Sequence, residues 1–262
     1  MTELAALIFD VDGTLADTER DGHRVAFNRA FAEAGLDWHW TIPLYGELLK
    51  VTGGKERIRY YLDHYNSAYQ RPAALNDFIA RLHADKTCHY TQMLAEGNIP
   101  LRSGVRRLLE EARDNGIRLA IATTTTPANV MALLEYAQPA IPPGWFEVIA
   151  AGEIVPAKKP APDIYHYTLQ QLRLAPAQCL AIEDSENGLQ SARQAGIETL
   201  ITVNDYTAQQ DFSKAALVLD RIGEPGQPFK VLGGLPVSAN PYLDVALLRQ
   251  VHERAERAAS VR

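Results

Sequence analysis

The sequence predicts an α/β fold with a parallel sheet and an inserted helical domain, and two observations lead to this prediction. Short, continuously apolar runs recur along the 262 residues, and each is followed by a polar or glycine-containing turn and a helical pattern. Continuous rather than alternating apolar character is typical of strands that are buried on both faces, as in a parallel sheet. The second observation is a long interval after the first run that contains helical patterns and no convincing strand. The alternation indicates a sheet covered by helices, and the interval indicates a separate helical insert.

The predicted strands and helices alternate along the chain. We expect strands at 5–9, 118–122, 146–150, 179–182 and 199–203, with a short last strand at 216–219. Helices are expected at 104–114, 128–136, 163–172 and 187–195. The segment 223–236 is rich in glycine and proline and is predicted to be a loop, and 240–259 is predicted to be a terminal helix.

The interval after the first strand is predicted to be an all-helical insert. Phe27, Ala30 and Phe31 repeat at the spacing of one helix face, as expected for the core of a small bundle. We expect the insert to lie over the carboxyl edge of the sheet and to act as a cap. The predicted domains are a core formed by residues 1–17 and 99–262 and a cap formed by residues 18–98.

Composition argues against several classes of partner. The formal net charge of −6 and the lack of a basic block argue against nucleic acid and an anionic membrane surface. No apolar run approaches the roughly 18 residues that span a bilayer, and the N-terminus carries no signal-peptide pattern. Cys88 and Cys179 are far apart, so we expect neither a disulfide framework nor a zinc site. We expect a soluble, cytoplasmic monomer that acts on a small molecule.

Two carboxylates stand at the end of the first predicted strand, in the run LIFDVDGTL. In open α/β sheets this edge is where ligands bind. Asp10 can face a substrate as nucleophile and metal ligand, while Asp12, carried on the turn at Gly13, can serve as acid and base. A carboxylate attacks an anionic phosphate poorly unless a cation offsets the repulsion, and Mg²⁺ is the usual cation. If the substrate is a phosphate, the pattern therefore predicts a reaction that depends on magnesium.

This run resembles the first motif of the haloacid dehalogenase superfamily, Asp-x-Asp-Gly-Thr, and three further motifs follow in the superfamily's order. The resemblance implies a Rossmann-like core and an α-helical cap. The second motif is the threonine run at 123–126, in which Thr123 is expected to hydrogen-bond the transferring phosphoryl group, with Thr124 beside it. The third is AKKPAPD, which gives Lys159 the role of offsetting charge on the nucleophile and the phosphoryl oxygens. Lys158 is expected to be a solvated neighbour.

The fourth motif, in the run CLAIEDSENG, implies the metal ligands. By resemblance Asp184 coordinates Mg²⁺ directly, together with the Asp10 carboxylate and the Asp12 backbone carbonyl. Glu183 is expected close by, as a ligand directly or through water. The resemblance therefore implies Mg²⁺ as the cofactor and a phosphoaspartate formed on Asp10.

Two stretches of the insert, DTERDGHR and LYGELLKVTGGKER, resemble the CbbY-type phosphatases among the superfamily members with an α-helical cap. These enzymes remove a phosphate from xylulose-1,5-bisphosphate, an inhibitor of Rubisco in Calvin-cycle carbon fixation. The resemblance implies this sugar bisphosphate as substrate. A β-phosphoglucomutase-like phosphomutase, a phosphoglycolate-type phosphatase and a regulatory, non-enzymatic sugar-phosphate binding module are the alternatives.

A bisphosphate has two anionic ends, and the core motifs hold only one of them. Gly53 and Gly54 can form an open backbone loop, with Lys55 and Arg57 able to meet the distal phosphate. Lys50 is a further candidate. The alternative is that these cations are solvated at the start of a helix.

Two residues at the cap entry, Glu19 and His23, are also candidates for contact with the substrate. They can bind sugar hydroxyls or help to position Asp12, or they can anchor the hinge between the domains. Closure of the cap would exclude water from the phosphoaspartate, so we expect mobile hinges near Thr18 and Asn98.

Overall fold

A seven-stranded sheet organises the computed structural model, which describes residues 2–97, 99–237 and 241–260. The strand order is β3-β2-β1-β4-β5-β6-β7, and every neighbouring pair is parallel except β6 and β7, which are antiparallel. The strands are β1 Ala6–Phe9, β2 Arg118–Thr123, β3 Phe146–Ala151, β4 Cys179–Glu183, β5 Glu198–Thr202, β6 Leu217–Leu219 and β7 Val231–Gly234. The order, with β1 flanked by β2 and β4, confirms the predicted Rossmann-like parallel sheet.

The helices are α1 Arg24–Glu33, α2 Ile42–Leu48, α3 Gly54–His64, α4 Leu75–Ala95, α5 Val105–Asp114, α6 Pro127–Tyr136, α7 Asp163–Leu172, α8 Glu186–Gln194 and α9 Val245–Ser260. A π-helical turn, Glu19–His23, leads into α1. No described helix combines the length and the apolar character that crossing a membrane would need.

The six predicted strands and the predicted helices are confirmed to within a few residues at their ends. The prediction that 223–236 is a loop was wrong, because β7 lies within it and pairs with β6. This strand forms one edge of the sheet, with Val231 and Leu232 exposed, so it lacks the continuous burial of β1, β2, β4 and β5. The terminal helix begins at Val245, and Asn240, where it was expected to begin, lies outside the described residues.

Between β1 and β2 the described residues form helices and no strand of the sheet, as predicted. A hydrophobic cluster unites this region, and it is rich in aromatic side chains: Phe27, Phe31, Trp38, Trp40, Tyr45 and Tyr61. The carboxyl-terminal part of α4 departs from it, because Tyr90, Met93 and Leu94 pack into the main cluster of the sheet domain. We propose that the chain divides into a core and a cap at the predicted boundaries. Asn98, the last residue of the predicted cap, lies outside the described residues.

The register of β1 places the functional motifs at one level. Phe9 pairs with Ile121 of β2 on one side and with Ile182 of β4 on the other. Asp10 therefore follows β1 level with Glu183, the last residue of β4, and within one residue of the level of Thr123, the last residue of β2. Because parallel strands share one carboxyl edge, their terminal side chains lie close together there.

Candidate active site

Three carboxylates gather at the carboxyl edge of the sheet. Asp10, Glu183 and Asp184 are buried, and one carboxylate oxygen from each lies within 4.8 Å of the others. Asp10 follows β1, whereas the other two end β4 and begin the turn into α8. The local fold thus concentrates negative charge away from water, which is costly unless cations are present.

The Lys159 ammonium lies inside this acidic cluster. Its Nζ donates to Asp10 Oδ1 at 2.7 Å, to Glu183 Oε1 at 2.5 Å and to the carbonyl oxygen of Ala122 at 2.8 Å. The Tyr165 hydroxyl donates to the same Glu183 oxygen at 2.6 Å. Burial alone would lower the pKa of Lys159, but the charges of Asp10 and Glu183 outweigh it and raise that pKa above its ordinary value. Lys159 is therefore a permanent positive charge beside the nucleophile candidate.

One ammonium does not balance three buried carboxylates. Burial raises the pKa of Asp10 to about 7 despite the opposing charge of Lys159, and the charge of Glu183 adds to the rise. Burial and the charges of Asp10 and Glu183 also hold the pKa of Asp184 well above its ordinary range. The cluster therefore gains stability from a further cation.

The residues present fit a magnesium ion. Carboxylate oxygens are the donors that this hard cation prefers, and three of them converge here. The second oxygen of Glu183, Oε2, is buried and has no hydrogen-bond partner among the described residues, so it retains acceptor capacity. Asp184 is oriented by Asn204, whose Nδ2 donates to Asp184 Oδ2 at 2.7 Å.

Gly13 permits this close packing beneath the cluster. Its φ of +82° favours glycine, and a Cβ placed there would collide with Asp184 Oδ2 and lie 2.6 Å from Asn204 Nδ2. Arg102 donates to the Gly13 carbonyl oxygen and, at 2.6 Å, to that of Val203. The turn after Asp12 is thus held against the loop that carries Asn204.

The Asp12 side chain points away from the acidic cluster and toward the cap. Its Oδ1 accepts from Thr18 Oγ1 at 2.6 Å and lies 2.8 Å from His23 Nε2. On the far side of the ring, Lys86 Nζ lies 2.7 Å from His23 Nδ1. An ammonium only donates, so His23 accepts at Nδ1 and donates to Asp12 at Nε2. A chain of hydrogen bonds therefore runs from α4 to Asp12.

This chain changes the proton affinity of Asp12. Burial acts to raise the pKa of Asp12, but the positive charge of the His23–Lys86 pair and the bonds from His23 and Thr18 outweigh it. The pKa of Asp12 consequently lies below its ordinary value. Burial also lowers the pKa of Lys86 to about 8, against the opposing charges of Asp12 and Glu19. The cap therefore keeps Asp12 ionised when no substrate is bound.

A cavity of about 370 Å³ lies between the carboxyl edge and the cap. It is lined by most of the predicted site residues: Asp10, Asp12, Glu19, Lys50, Arg57, Thr123, Thr124, Lys159 and Asp184. A chamber of about 50 Å³ adjoins Asp12 and is lined by His23, Gly53, Gly54, Arg57, His83, Lys86, Thr125 and Asn129. A larger cleft of about 590 Å³ lies beside the hinge, but Asp10, Thr123 and Lys159 do not line it.

Arg57 is buried between the cavity and the cap interior. Its Nη1 donates to the Tyr45 hydroxyl at 2.9 Å, and that hydroxyl lies 2.6 Å from Glu19 Oε2. The guanidinium also lies over the Tyr45 ring, 5.2 Å from its centroid. Arg57 and Glu19 are therefore held in one network at the roof of the cavity.

The structure does not bring Lys55 into this set. Its ammonium pairs with Glu153 Oε1 at 2.9 Å, and it lines neither the cavity nor the chamber. Lys50 lines the cavity, but its ammonium is largely exposed and pairs with Glu47 at 2.5 Å. The expectation that Lys158 is merely solvated was wrong, since its ammonium lies 2.6 Å from Glu56 Oε1.

Sequence reasoning missed several residues of the site. Lys86 stands on the buried stripe of α4 with Ile79, Leu82, Tyr90 and Met93. A lysine in an apolar stripe at helical spacing is a signal that was available in the sequence. Asn204 and Tyr165 carried no such signal, because each reaches the site through tertiary packing alone.

Comparison with known proteins gives consistent matches. A family model of haloacid dehalogenase-like hydrolases matches residues 4–196. The chain is 49% identical to the plasmid-encoded protein CbbY of Cupriavidus necator, over 95% of this chain and 97% of that protein. It is 31% identical to the phosphorylated carbohydrates phosphatase of Thermotoga maritima, over 82% of this chain and 94% of that protein.

Solved structures of CbbY from Rhodobacter sphaeroides also match. The complex of that protein with phosphate has a TM-score of 0.77 and 45% identity, covering 83% of this chain and 94% of that chain. A D10N mutant of the same protein, in complex with xylulose-(1,5)bisphosphate, matches with the same values.

Proposed function

The chain belongs to the haloacid dehalogenase-like hydrolase family and is a phosphatase, and we propose which substrate it uses and by which mechanism. It hydrolyses a small sugar bisphosphate. The reaction depends on magnesium and passes through a phosphoaspartate on Asp10. The proposed substrate is xylulose-1,5-bisphosphate, so that the reaction removes an inhibitor of Rubisco. The complex of the D10N mutant of the Rhodobacter sphaeroides relative with this compound supports the choice of substrate.

One observation carries the chemical part of the proposal. Asp10 lies in a buried acidic cluster against the Lys159 ammonium, while Asp12 turns away into a separate hydrogen-bond chain. Two neighbouring carboxylates with opposite pKa shifts are suited to different tasks. This arrangement fits a nucleophile and a separate acid–base group.

Mg²⁺ would be held by the Asp10 and Asp184 carboxylates and the Asp12 backbone carbonyl, with Glu183 beside them, and would neutralise charge on the transferring phosphoryl group. Lys159 and Thr123 would bind phosphoryl oxygens from the other side. The contact of the Lys159 ammonium with Asp10 Oδ1 supports this role, because the transferring phosphoryl group would bind beside Asp10.

In the first step an Asp10 oxygen attacks phosphorus, and the bond from phosphorus to the sugar oxygen breaks. Asp12, which takes up a proton from solvent as the substrate binds, gives that proton to the leaving oxygen. The incoming phosphate dianion raises the proton affinity of Asp12, against the effect of His23 and Lys86. In the second step Asp12 takes a proton from water, whose oxygen attacks the phosphorus of the phosphoaspartate. Phosphate is released and Asp10 is restored.

The cap side of the cavity would bind the second phosphate. Arg57 and Lys50 line the cavity, and the amino-terminal turn of α3 begins at Gly54 beside the adjoining chamber. Exposed backbone N–H groups at a helix start and a guanidinium are both suited to a phosphate. We propose that Glu19 contacts the sugar hydroxyls and that His23 acts on Asp12, whereas Lys55 is left out because it pairs with Glu153.

A phosphate-release screen tests the proposal. With Mg²⁺ present, xylulose-1,5-bisphosphate should be hydrolysed faster than ribulose-1,5-bisphosphate, phosphoglycolate and glucose phosphates. Equal rates of phosphate release and substrate loss distinguish a phosphatase from a phosphomutase. Absence of release from every compound would favour a binding module and contradict the proposal.

The variant Asp10→Asn tests the nucleophile. Removing it should lower turnover by on the order of 10⁴-fold or more, while magnesium-dependent substrate binding largely survives. Undiminished turnover by this variant would overturn the phosphoaspartate mechanism.

A further inference from the structure

The cap loop, which we define as residues 50–56 and which comprises the connection after α2 and the first residues of α3, contacts the core on both flanks of the cavity. On one flank Lys158 Nζ lies 2.6 Å from Glu56 Oε1, and Lys55 Nζ lies 2.9 Å from Glu153 Oε1. On the other flank Asn187 Nδ2 donates to Thr52 Oγ1 at 3.0 Å. The loop is thus tied to two separate core segments.

The core partners of the cap loop are chain neighbours of the residues proposed for the chemistry. Lys158 directly precedes Lys159, whose ammonium contacts Asp10 and Glu183. Asn187 follows Asp184 by three residues, in the first turn of α8. A contact that orders either core segment therefore also orders a group in the active site.

Gly53 is shaped for the pair between Lys158 and Glu56. Its φ is +98°, a conformation that favours glycine. A Cβ at this position would collide with Glu56 Oε2 and lie 2.8 Å from Lys158 Nζ. The absence of a side chain at Gly53 leaves the space in which the carboxylate and the ammonium meet.

Ion pairs of this exposure contribute little to folding. The Lys158 side chain is 17% exposed and the Glu56 side chain 46%, and such pairs are readily solvated when they separate. A cap that admits substrate and releases product must open and close easily, so small energies suffice to bias that equilibrium. The pair is suited to controlling closure rather than to stabilising the fold.

We propose that Glu56 and Lys158 are positioning residues that couple closure of the cap to the placement of Lys159. When the cap closes, their ion pair forms and fixes the backbone immediately before Lys159, which seats its ammonium on Asp10 and Glu183. When the cap opens, the pair breaks and Lys159 loses this support. The inference rests on the proposed function, because it assigns the pair a role in the same reaction.

A double-mutant cycle tests the coupling, using Glu56→Gln, Lys158→Met and the double variant. Each single change should lower kcat/KM by roughly three- to fivefold, as expected for a half-exposed pair, and the double variant should lose no more than either single variant. The midpoint of urea unfolding should stay unchanged, which would show that the loss of kcat/KM does not come from a less stable fold. Multiplicative losses, or unchanged kcat/KM, would overturn the coupling.

Glu147→Gln provides a matched control. Glu147 pairs with Arg118 Nε at 2.7 Å at the opposite end of the sheet, and its side chain is 50% exposed, close to the value for Glu56. Removing this pair should leave kcat/KM unchanged. A loss equal to that of Glu56→Gln would attribute both effects to general charge removal and refute the proposal.

Small-angle X-ray scattering separates this inference from the proposed function. With Mg²⁺ and inorganic phosphate present, Glu56→Gln should have a larger radius of gyration than the parent protein, and Glu147→Gln should not. If the parent releases phosphate from none of the sugar phosphates, the proposed function fails while scattering still decides whether the pair holds the cap closed. An unchanged radius of gyration in Glu56→Gln would by itself contradict the proposed coupling between cap closure and Lys159.

Discussion

Asp10 and Asp12 are separated by one residue, yet they belong to two different environments. Asp10 lies on the core side, among carboxylates and Lys159, all carried by segments that end or follow neighbouring strands. Asp12 lies on the cap side, bonded to Thr18 and His23, and is linked through His23 to Lys86. Burial raises the pKa of the first carboxyl group to about 7, whereas the hydrogen bonds from His23 and Thr18 and the positive charge of the His23–Lys86 pair lower that of the second. The difference shows how one short turn can present two carboxylates for different chemistry.

The two sides also differ in how their cations are used. Lys159 is held by two carboxylates, so its charge is fixed. Lys86 contacts a histidine ring and is buried, which lowers its pKa to about 8. We therefore expect the core side to supply constant charge and the cap side to adjust the proton affinity of Asp12.

The largest difference should come from removing the fixed charge. Lys159→Met should lower kcat/KM by on the order of 10³-fold, because it removes a cation aimed at the reacting phosphoryl group. Steady-state phosphate release measures the loss, and Lys158→Met, with its threefold to fivefold effect, is the neighbouring control. Similar losses in the two variants would contradict the assignment of Lys159 to the chemistry.

Removing the adjustable charge should have a smaller effect. Lys86→Met should lower kcat/KM by roughly ten- to hundredfold, because Lys86 supports the acid–base group through His23 without touching the substrate phosphate at Asp10. The same phosphate-release assay measures it. A loss as large as that of Lys159→Met would remove the distinction between the two sides.

The pH dependence should separate the sides further. His23 lowers the pKa of Asp12, so His23→Gln should allow that pKa to rise and Asp12 to be protonated more easily. Asp12 must be protonated to act as the acid of the first step, so the basic limb of the kcat/KM profile should then move to higher pH by about one unit. Lys158→Met should leave the position of this limb unchanged. An unmoved limb in His23→Gln would mean that the cap does not tune Asp12.

The smallest predicted effect concerns stability. The folded protein lowers the pKa of Lys86 from 10.5 to about 8, so between these values the unfolded chain binds more protons than the folded chain. The free energy of unfolding of the parent should therefore rise with pH across this window, relative to that of Lys86→Met. Between pH 7.5 and 9.5 the relative gain should be about 2 kcal/mol, measured by urea unfolding. Parallel pH profiles for the two proteins would show that Lys86 is not buried as a strained cation.

The core side could be predicted from the sequence because its groups follow strands in short motifs. Asp10, Thr123, Lys159 and Asp184 each stand within or beside a local pattern, and the sheet register brings them to one cavity. The parallel sheet was predictable for the same reason. Continuous burial of β1, β2, β4 and β5 is visible in their composition.

The cap side was harder to predict because its contacts join distant segments. Lys86 meets His23 across 63 residues, and Lys158 meets Glu56 across 102. Neither pair follows from helical or strand periodicity, which specifies a face and not the partner that covers it. Lys55 shows the same limit, since a cation beside two glycines is compatible with a phosphate contact and with an ion pair to Glu153.

The course of α4 has a consequence for how a substrate enters. Its 21 residues span about 31 Å, and its first half packs in the aromatic cluster while Tyr90, Met93 and Leu94 pack in the sheet domain. When the cap opens, α4 should rotate about its carboxyl-terminal end, because that end stays packed in the sheet domain. The entrance should therefore widen most on the side away from Tyr90, and larger sugars should approach the nucleophile from that direction.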